Sequence, residues 1–207
     1  MYLGNPANPS FTQKGFFTQD KYLLSAKLAY IKDHVFKKSF KTLEPLELTR
    51  NANQACITAN WKNFLELFAA IGQEKIGYKQ EKASQLRHAV LDWSLGGRAL
   101  IIEWGSVALC ASGGYLTAYP EIRRMPSKYT EWEIALGLVK NVEFFSFYAL
   151  GGFSRGFLYL QDQRLQTENP FLLALGASFF TKKGLCANGE LRFFGETALG
   201  FDFEFKF

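Results

Sequence analysis

An antiparallel β-barrel is the fold this sequence predicts, and three observations predict it. Apolar and polar residues alternate with period two along most of the chain, the signature of strands whose two faces meet different surroundings. Phe is dense, at 21 of 207 residues, with 9 Tyr and 4 Trp, and aromatic side chains favour strands. The connections alternate between tight turns and longer polar stretches, as in an even-numbered meander. About ten strands are expected, with twelve as the alternative.

The elements follow in order. Residues 1–21 are expected to form a lead segment, periplasmic or tucked into the lumen, or further strands. The barrel is expected over 22–207. LLSAKLAYI reads as its first strand. QACITANW sets Ala55, Ile57, Ala59 and Trp61 against Gln54, Cys56, Thr58 and Asn60. Past a tight turn, FLELFAAIG keeps Leu65, Leu67, Ala69 and Ile71 on one side. LDWSLGGRALIIEW alternates Trp93, Leu95, Gly97, Ala99 and Ile101 with Asp92, Ser94, Gly96, Arg98, Leu100 and Ile102. VALCASGGYLT runs back. TEWEIALGLV sets Trp132, Ile134, Leu136 and Leu138 against Glu131, Glu133, Ala135 and Gly137. EFFSFYALGGF is a strand whose faces the alternation leaves open. FLLALGASF turns into LCANGELRFF, and GFDFEFKF closes the chain with Phe201, Phe203, Phe205 and Phe207 alternating with Asp202, Glu204 and Lys206. KASQLRHAVL is the best helix candidate. Tight turns fall near residues 62, 104, 141 and 182, and long polar connections at 37–50, 74–87, 118–128 and 158–168.

Strands of about ten residues are the length needed to cross a bilayer at a tilt. No run of roughly 18 apolar residues offers a membrane helix, so a membrane location requires a closed barrel. Trp61 and Trp104 beside tight turns suit an interfacial girdle. A final strand ending on Phe resembles the signal read by outer-membrane assembly machinery, with Phe203, Phe205 and Phe207 as its residues. The chain is thus expected in the lipid bilayer of a bacterial outer membrane. Period two does not say which face is outside, so a soluble lipid-binding barrel is an alternative. No charged and apolar leader opens the sequence.

With the apolar faces toward lipid, the lumen receives Lys27, Glu66, Asp92, Arg98, Glu131, Glu133, Glu190, Arg192, Asp202, Glu204 and Lys206. Seven of these eleven are acidic, although the formal net charge is +5. The positive excess therefore sits in connections such as KKSFK, EKIGYKQEKASQLR and EIRRMPSK. Such a lumen either selects ions or fills a narrow barrel with ion pairs. An eight-strand barrel is just filled by its own side chains, and ten strands stand near that limit. Basic outer loops offer a surface for lipopolysaccharide phosphates. Nothing points to a nucleic-acid partner, a cofactor, a metal site or an enzyme. The two histidines, His34 and His88, lie at strand ends or in loops. Asp33 and His34, adjacent on one strand, point to opposite faces. Cys56, Cys110 and Cys186 share the inward face, as small fillers or as candidates for a disulfide.

The opening GNPANPSFTQKGFF resembles the start of the mature chlamydial major outer membrane protein, a family of trimeric porins. ITANWKNFLELFAAIG, WSLGGRALIIEWGSVALCASGGYLTAYPEI, YTEWEIALGLVKNVEFFSFYALGGFSRGFLYL, ALGASFFTKKGLCANGELRFF and the terminal FEFKF resemble that family's hairpins in the same order. The resemblance covers most of the chain. It implies a porin-like channel for ions and small solutes, a homotrimer, and a sequence that begins at a mature end. Cys186 falls where the family also has Cys. The family is longer and cysteine-rich, so a shortened relative is expected. The competing expectation is a non-conducting structural or adhesive barrel that displays basic loops.

Overall fold

The computed structural model of the chain describes residues 24–42, 46–61, 64–80, 83–84, 88–122, 125–160, 163–181 and 185–206. The lead segment 1–21 and Phe207 lie outside them. Among the described residues thirteen strands occur: β1 (Leu24–Phe40), β2 (Leu46–Trp61), β3 (Leu65–Gln80), β4 (Ala83–Ser84), β5 (His88–Trp104), β6 (Val107–Ala118), β7 (Glu121–Ile122), β8 (Met125–Val142), β9 (Phe145–Leu160), β10 (Gln163–Gln166), β11 (Phe171–Phe180), β12 (Leu185–Phe194) and β13 (Thr197–Lys206). Ten of them are staves of a closed antiparallel barrel, each paired with the next. β13 pairs with β1 from Lys27↔Lys206 to Lys37↔Thr197 and closes the ring. β4, β7 and β10 are short additions to β3, β8 and β9.

The tight turns after Trp61, Trp104, Val142 and Phe180 define the lower end, where Leu24 also pairs with Trp61. Gly105 supplies φ +59° in the two-residue turn between β5 and β6, the left-handed geometry a tight hairpin needs. Glu143 holds φ 50° in the corresponding turn between β8 and β9.

Alternation sorts the faces. Leu28, Ile57, Leu67, Ile71, Leu95, Ile134, Leu136, Leu138 and Leu175 are exposed outward, while Lys27, Thr58, Glu66, Ser94, Glu133 and Ser178 are buried inward. Phe201, Phe203 and Phe205 point out, and Asp202 and Glu204 point in. This inverts a soluble barrel, whose apolar side would face the interior. The β9 faces that alternation left open resolve as Phe145, Phe147 and Phe153 outward and Ser146, Tyr148 and Leu150 inward. Inside, apolar side chains form two clusters. One includes Phe40, Leu48, Phe68, Ile76, Leu116, Tyr129 and Leu158. The other includes Ala108, Cys110, Val139, Tyr148 and Leu150.

Three expectations change. Among the described residues there is no helix over KASQLRHAVL, because Ala83–Ser84 pair with β3 and β5 begins at His88. The long connections are mostly strand. β1, β2, β3, β5, β8 and β9 run 16 to 18 residues, and ladders such as Phe40↔Leu46 and Leu46↔Gln80 continue through segments that look like loops. Polar composition marks where the outward face of those strands turns polar, as at Lys37 and Glu47, not where they end. Ile102 also changes face. A bulge between Leu100 and Ile102 leaves Ile101 and Ile102 both exposed, since the extra residue breaks the alternation.

β11, β12 and β13 have only 10 residues each. Above them a strap continues the wall. β10 folds back on β9, and Thr167 bridges Phe40 of β1. Its backbone is paired on both sides. The Thr167 N–H donates to Gly156 O at 3.0 Å, the Lys41 N–H to Gln166 O at 2.8 Å, and the Glu168 N–H to Ser39 O at 2.9 Å.

Candidate functional site: the charged interior

Inward positions of neighbouring strands bring the charges together in two groups. In the lower group Lys27 Nζ lies 3.2 Å from Glu66 and 3.4 Å from Glu204. Arg98 donates to Glu66 at 2.6 Å and stands 3.7 Å from Glu204. Two cations thus face two carboxylates from β1, β3, β5 and β13. The Arg98 guanidinium also sits 5.3 Å from the Phe68 ring centroid, a favourable cation–π distance.

The upper group is centred on Asp33, which accepts from Arg50 at 2.5 Å and also from Arg192. Arg50 reaches Glu74 at 3.6 Å, and Arg192 reaches Glu196 at 3.0 Å and Glu190 at 4.0 Å. Lys38 bonds Glu131 and lies 2.9 Å from Glu196. Glu131 accepts from Ser154 and the Tyr129 hydroxyl, each at 2.6 Å. The Tyr148 hydroxyl donates to Glu190 at 3.2 Å. Gln54 donates to Asp92 at 2.5 Å, and Asn188 donates to Asp202. Every ion-paired side chain in both groups is at most 8% exposed. These charges face each other and not water.

Of the eleven residues the sequence placed in the lumen, Lys27, Glu66, Asp92, Arg98, Glu131, Glu133, Glu190, Arg192, Asp202 and Glu204 are buried inside the barrel. The side chain of Lys206 lies outside the described residues. Sequence reading missed Asp33, Lys38, Arg50, Glu74 and Glu196. Three of these fall in segments that read as loops. Lys38 hides behind a bulge between Val35 and Lys38, which sends Phe36 and Lys37 both outward and Lys38 inward. Lys37 instead pairs with Glu47 at 2.7 Å on the outer surface. The hydrogen bond and charge of Glu47 hold that ammonium above the usual lysine range.

Cys56, Cys110 and Cys186 are buried free thiols. They sit on β2, β6 and β12, none of which is adjacent to another in the sheet, so the disulfide that their shared inward face allowed is absent. Asp33 points in to the arginines, whereas His34 points out and packs edge-on against Phe36 at 4.4 Å. The His88 side chain lies outside the described residues. Among the described residues, no cluster of His, Cys, Asp and Glu has the arrangement of a metal site.

The outer face has aromatic edges. Trp61 and Phe64 meet at 5.5 Å and Phe145 and Phe179 at 5.2 Å near the lower end. Trp93 and Tyr115 meet at 5.7 Å and Phe153 and Phe171 at 5.2 Å higher up. Such paired girdles border the apolar band of membrane barrels.

No protein-family model and no curated protein sequence matches the chain. Solved structures do. The β-domain of the Bordetella autotransporter BrkA is similar at 10% identity, with a TM-score of 0.54, over 89% of this chain and 98% of that one. The translocator domain of the autotransporter NalP from Neisseria meningitidis has a TM-score of 0.47 at 9% identity, over 96% and 90%. The outer membrane protease OmpT from Escherichia coli has a TM-score of 0.38 at 11% identity, over 89% and 96%. At such identities the likeness is one of fold, and the BrkA match supports the closed β-barrel.

Proposed function

We propose that the chain is an outer-membrane barrel closed in its resting state by its own ion-paired interior, a structural barrel that carries a basic upper rim. The observation that carries this reading is the burial of both charged groups. A porin presents its lumen charges to water, whereas these are buried, ion-paired in part with one another, and sit beside packed apolar clusters. The lower end, with its tight turns, would face the periplasm and the upper end the exterior. Phe203, Phe205 and Phe207 would serve recognition by assembly machinery.

The test is electrical. The protein is refolded in detergent and added to planar bilayers. The expected result is a folded, heat-resistant barrel without repeating ohmic steps. Uniform steps from channel to channel would sink the closed reading.

A second reading, a narrow porin that assembles as a trimer, is favoured by the sequence resemblance to the chlamydial major outer membrane protein. The two part company at Glu131. In a conducting pore, Glu131→Lys changes ion selectivity. In a closed interior it removes one of the two carboxylates that hold Lys38, sets a second ammonium beside it and lowers thermal stability, with current absent in both proteins.

A further inference from the structure

The upper β9 wall carries a feature that a closed interior does not use. Outward positions on β9 run Phe145, Phe147, Ala149, Gly151 and Phe153, and then change to Arg155, Phe157 and Tyr159. With a rise of about 3.4 Å per residue and a tilt of about 40°, Arg155 stands ~26 Å above Phe145, at the edge of an apolar band roughly 25 Å tall.

Just below that edge lies an outward groove of about 550 Å³, lined by Gly151, Phe153, Phe171, Leu173 and Phe194, with Asn169 beside them. Gly151 keeps it open, since a Cβ there would meet no atom within 4 Å. Above the groove stand three cations. The Arg164 guanidinium lies 3.9 Å from the Phe157 ring centroid and 5.8 Å from that of Tyr159. Lys128, opposite Tyr159, stands 5.9 Å from the Tyr119 ring. Arg155, opposite Trp132, has a buried Nε without a hydrogen-bond partner. None of the three forms an ion pair among the described residues. Glu168, close in the chain, bears instead on Lys37 of β1.

We propose that this wall binds one phosphorylated glycolipid of the lipid A class. An acyl chain lies in the Gly151 groove, and sugar phosphates meet Arg155, Arg164 and Lys128. The inference rests on the membrane reading above, and it names a partner for the basic rim. Arginine forks bind phosphate oxygens two at a time. Cations cost little on a lipid-facing wall at interface depth, and there an anionic headgroup supplies the charge the protein withholds. A zwitterionic phospholipid brings its own ammonium and a single phosphate, so it answers fewer of these donors.

The experiment is native mass spectrometry of the whole folded protein released from detergent, with a diphosphorylated acylated disaccharide, its dephosphorylated form and phosphatidylethanolamine as probes. The expected result is one retained diphosphorylated lipid per protein. Retention should fall roughly tenfold or more in the triple variant Lys128→Gln, Arg155→Gln, Arg164→Gln. It should also fall in Gly151→Phe, which fills the groove. Equal retention of all three probes by the natural protein overturns the site, and that comparison needs no variant to fold. Undiminished retention by the folded triple variant overturns it as well. A chain that folds only without detergent overturns the membrane reading and this site together, whereas absence of lipid on a folded barrel overturns the site alone.

Discussion

Asp33 is the residue on which the upper group turns. It accepts from two arginines that come from strands on either side of β1. Removing one partner of a buried pair leaves an uncompensated charge, which costs about 3–5 kcal/mol. Asp33→Ala takes their shared partner from two buried guanidinium groups, leaving Arg50 only Glu74 and Arg192 only Glu196 and Glu190, and should destabilise the barrel by about that range, read as a lower temperature at which the folded form is lost on unboiled gels. A loss below about 1 kcal/mol, the range of exposed pairs, would mean that water reaches the site. Gly176 carries a different constraint. The Tyr148 ring lies where its Cβ would be, while the Tyr148 hydroxyl is tied to Glu190. Gly176→Val should therefore cost about 1–3 kcal/mol by overpacking and weaken the Glu190 contact. Unchanged melting would show that the ring is free to swing aside.

At the scale of elements, the strap formed by β10 and Thr167 is the least supported part of the wall, with four residues in β10 and one bridge to β1. Thr167→Pro removes the N–H that donates to Gly156 O. Trypsin should then cut at Arg164 while the ten staves stay folded. Resistance equal to that of the natural protein would mean that side-chain packing, not the backbone bond, holds the strap. The strap also shows where sequence reading stops. Stave number and the sorting of residues onto two faces were legible outside β9, because period two is a local property, whereas which face is the outer one is not written in the alternation. The bulges at Val35–Lys38 and Leu100–Ile102 were not, since one extra residue flips the faces without changing composition. The upper extensions were hidden because their outward face turns polar, as at Lys37 and Glu47, while apolar side chains such as Phe40, Leu48 and Ile76 move to the inner face, which reverses the pattern read lower down. The Phe40↔Thr167 bridge joins residues far apart in the chain, and nothing local announces it.

For the whole molecule, the apolar outer face and the charged interior form a barrel turned inside out relative to a soluble one. Salt should distinguish a closed interior from a wet one. Surface and water-lined ion pairs are screened within about 10 Å at 0.1 M salt and about 3 Å at 1 M, whereas buried pairs are screened far less. Raising salt between those concentrations should therefore move the unfolding midpoint of the refolded barrel by little. A large drop would show that the lumen charges stand in water and would favour the porin reading.

The β1–β13 seam also orders events in time. Every other pair of staves joins neighbours along the chain, so the sheet can grow hairpin by hairpin at low cost in loop closure. The seam alone unites the two ends, from Lys27↔Lys206 onward. Before it forms, Lys27 has no Glu204 and Asp33 has no Arg192, and both rims of a ten-stave sheet lie open as templates for another strand. Ring closure therefore zips the backbone and completes both charged groups in a single late step. A nascent chain held short of that step is the species most prone to pair with a second copy of itself.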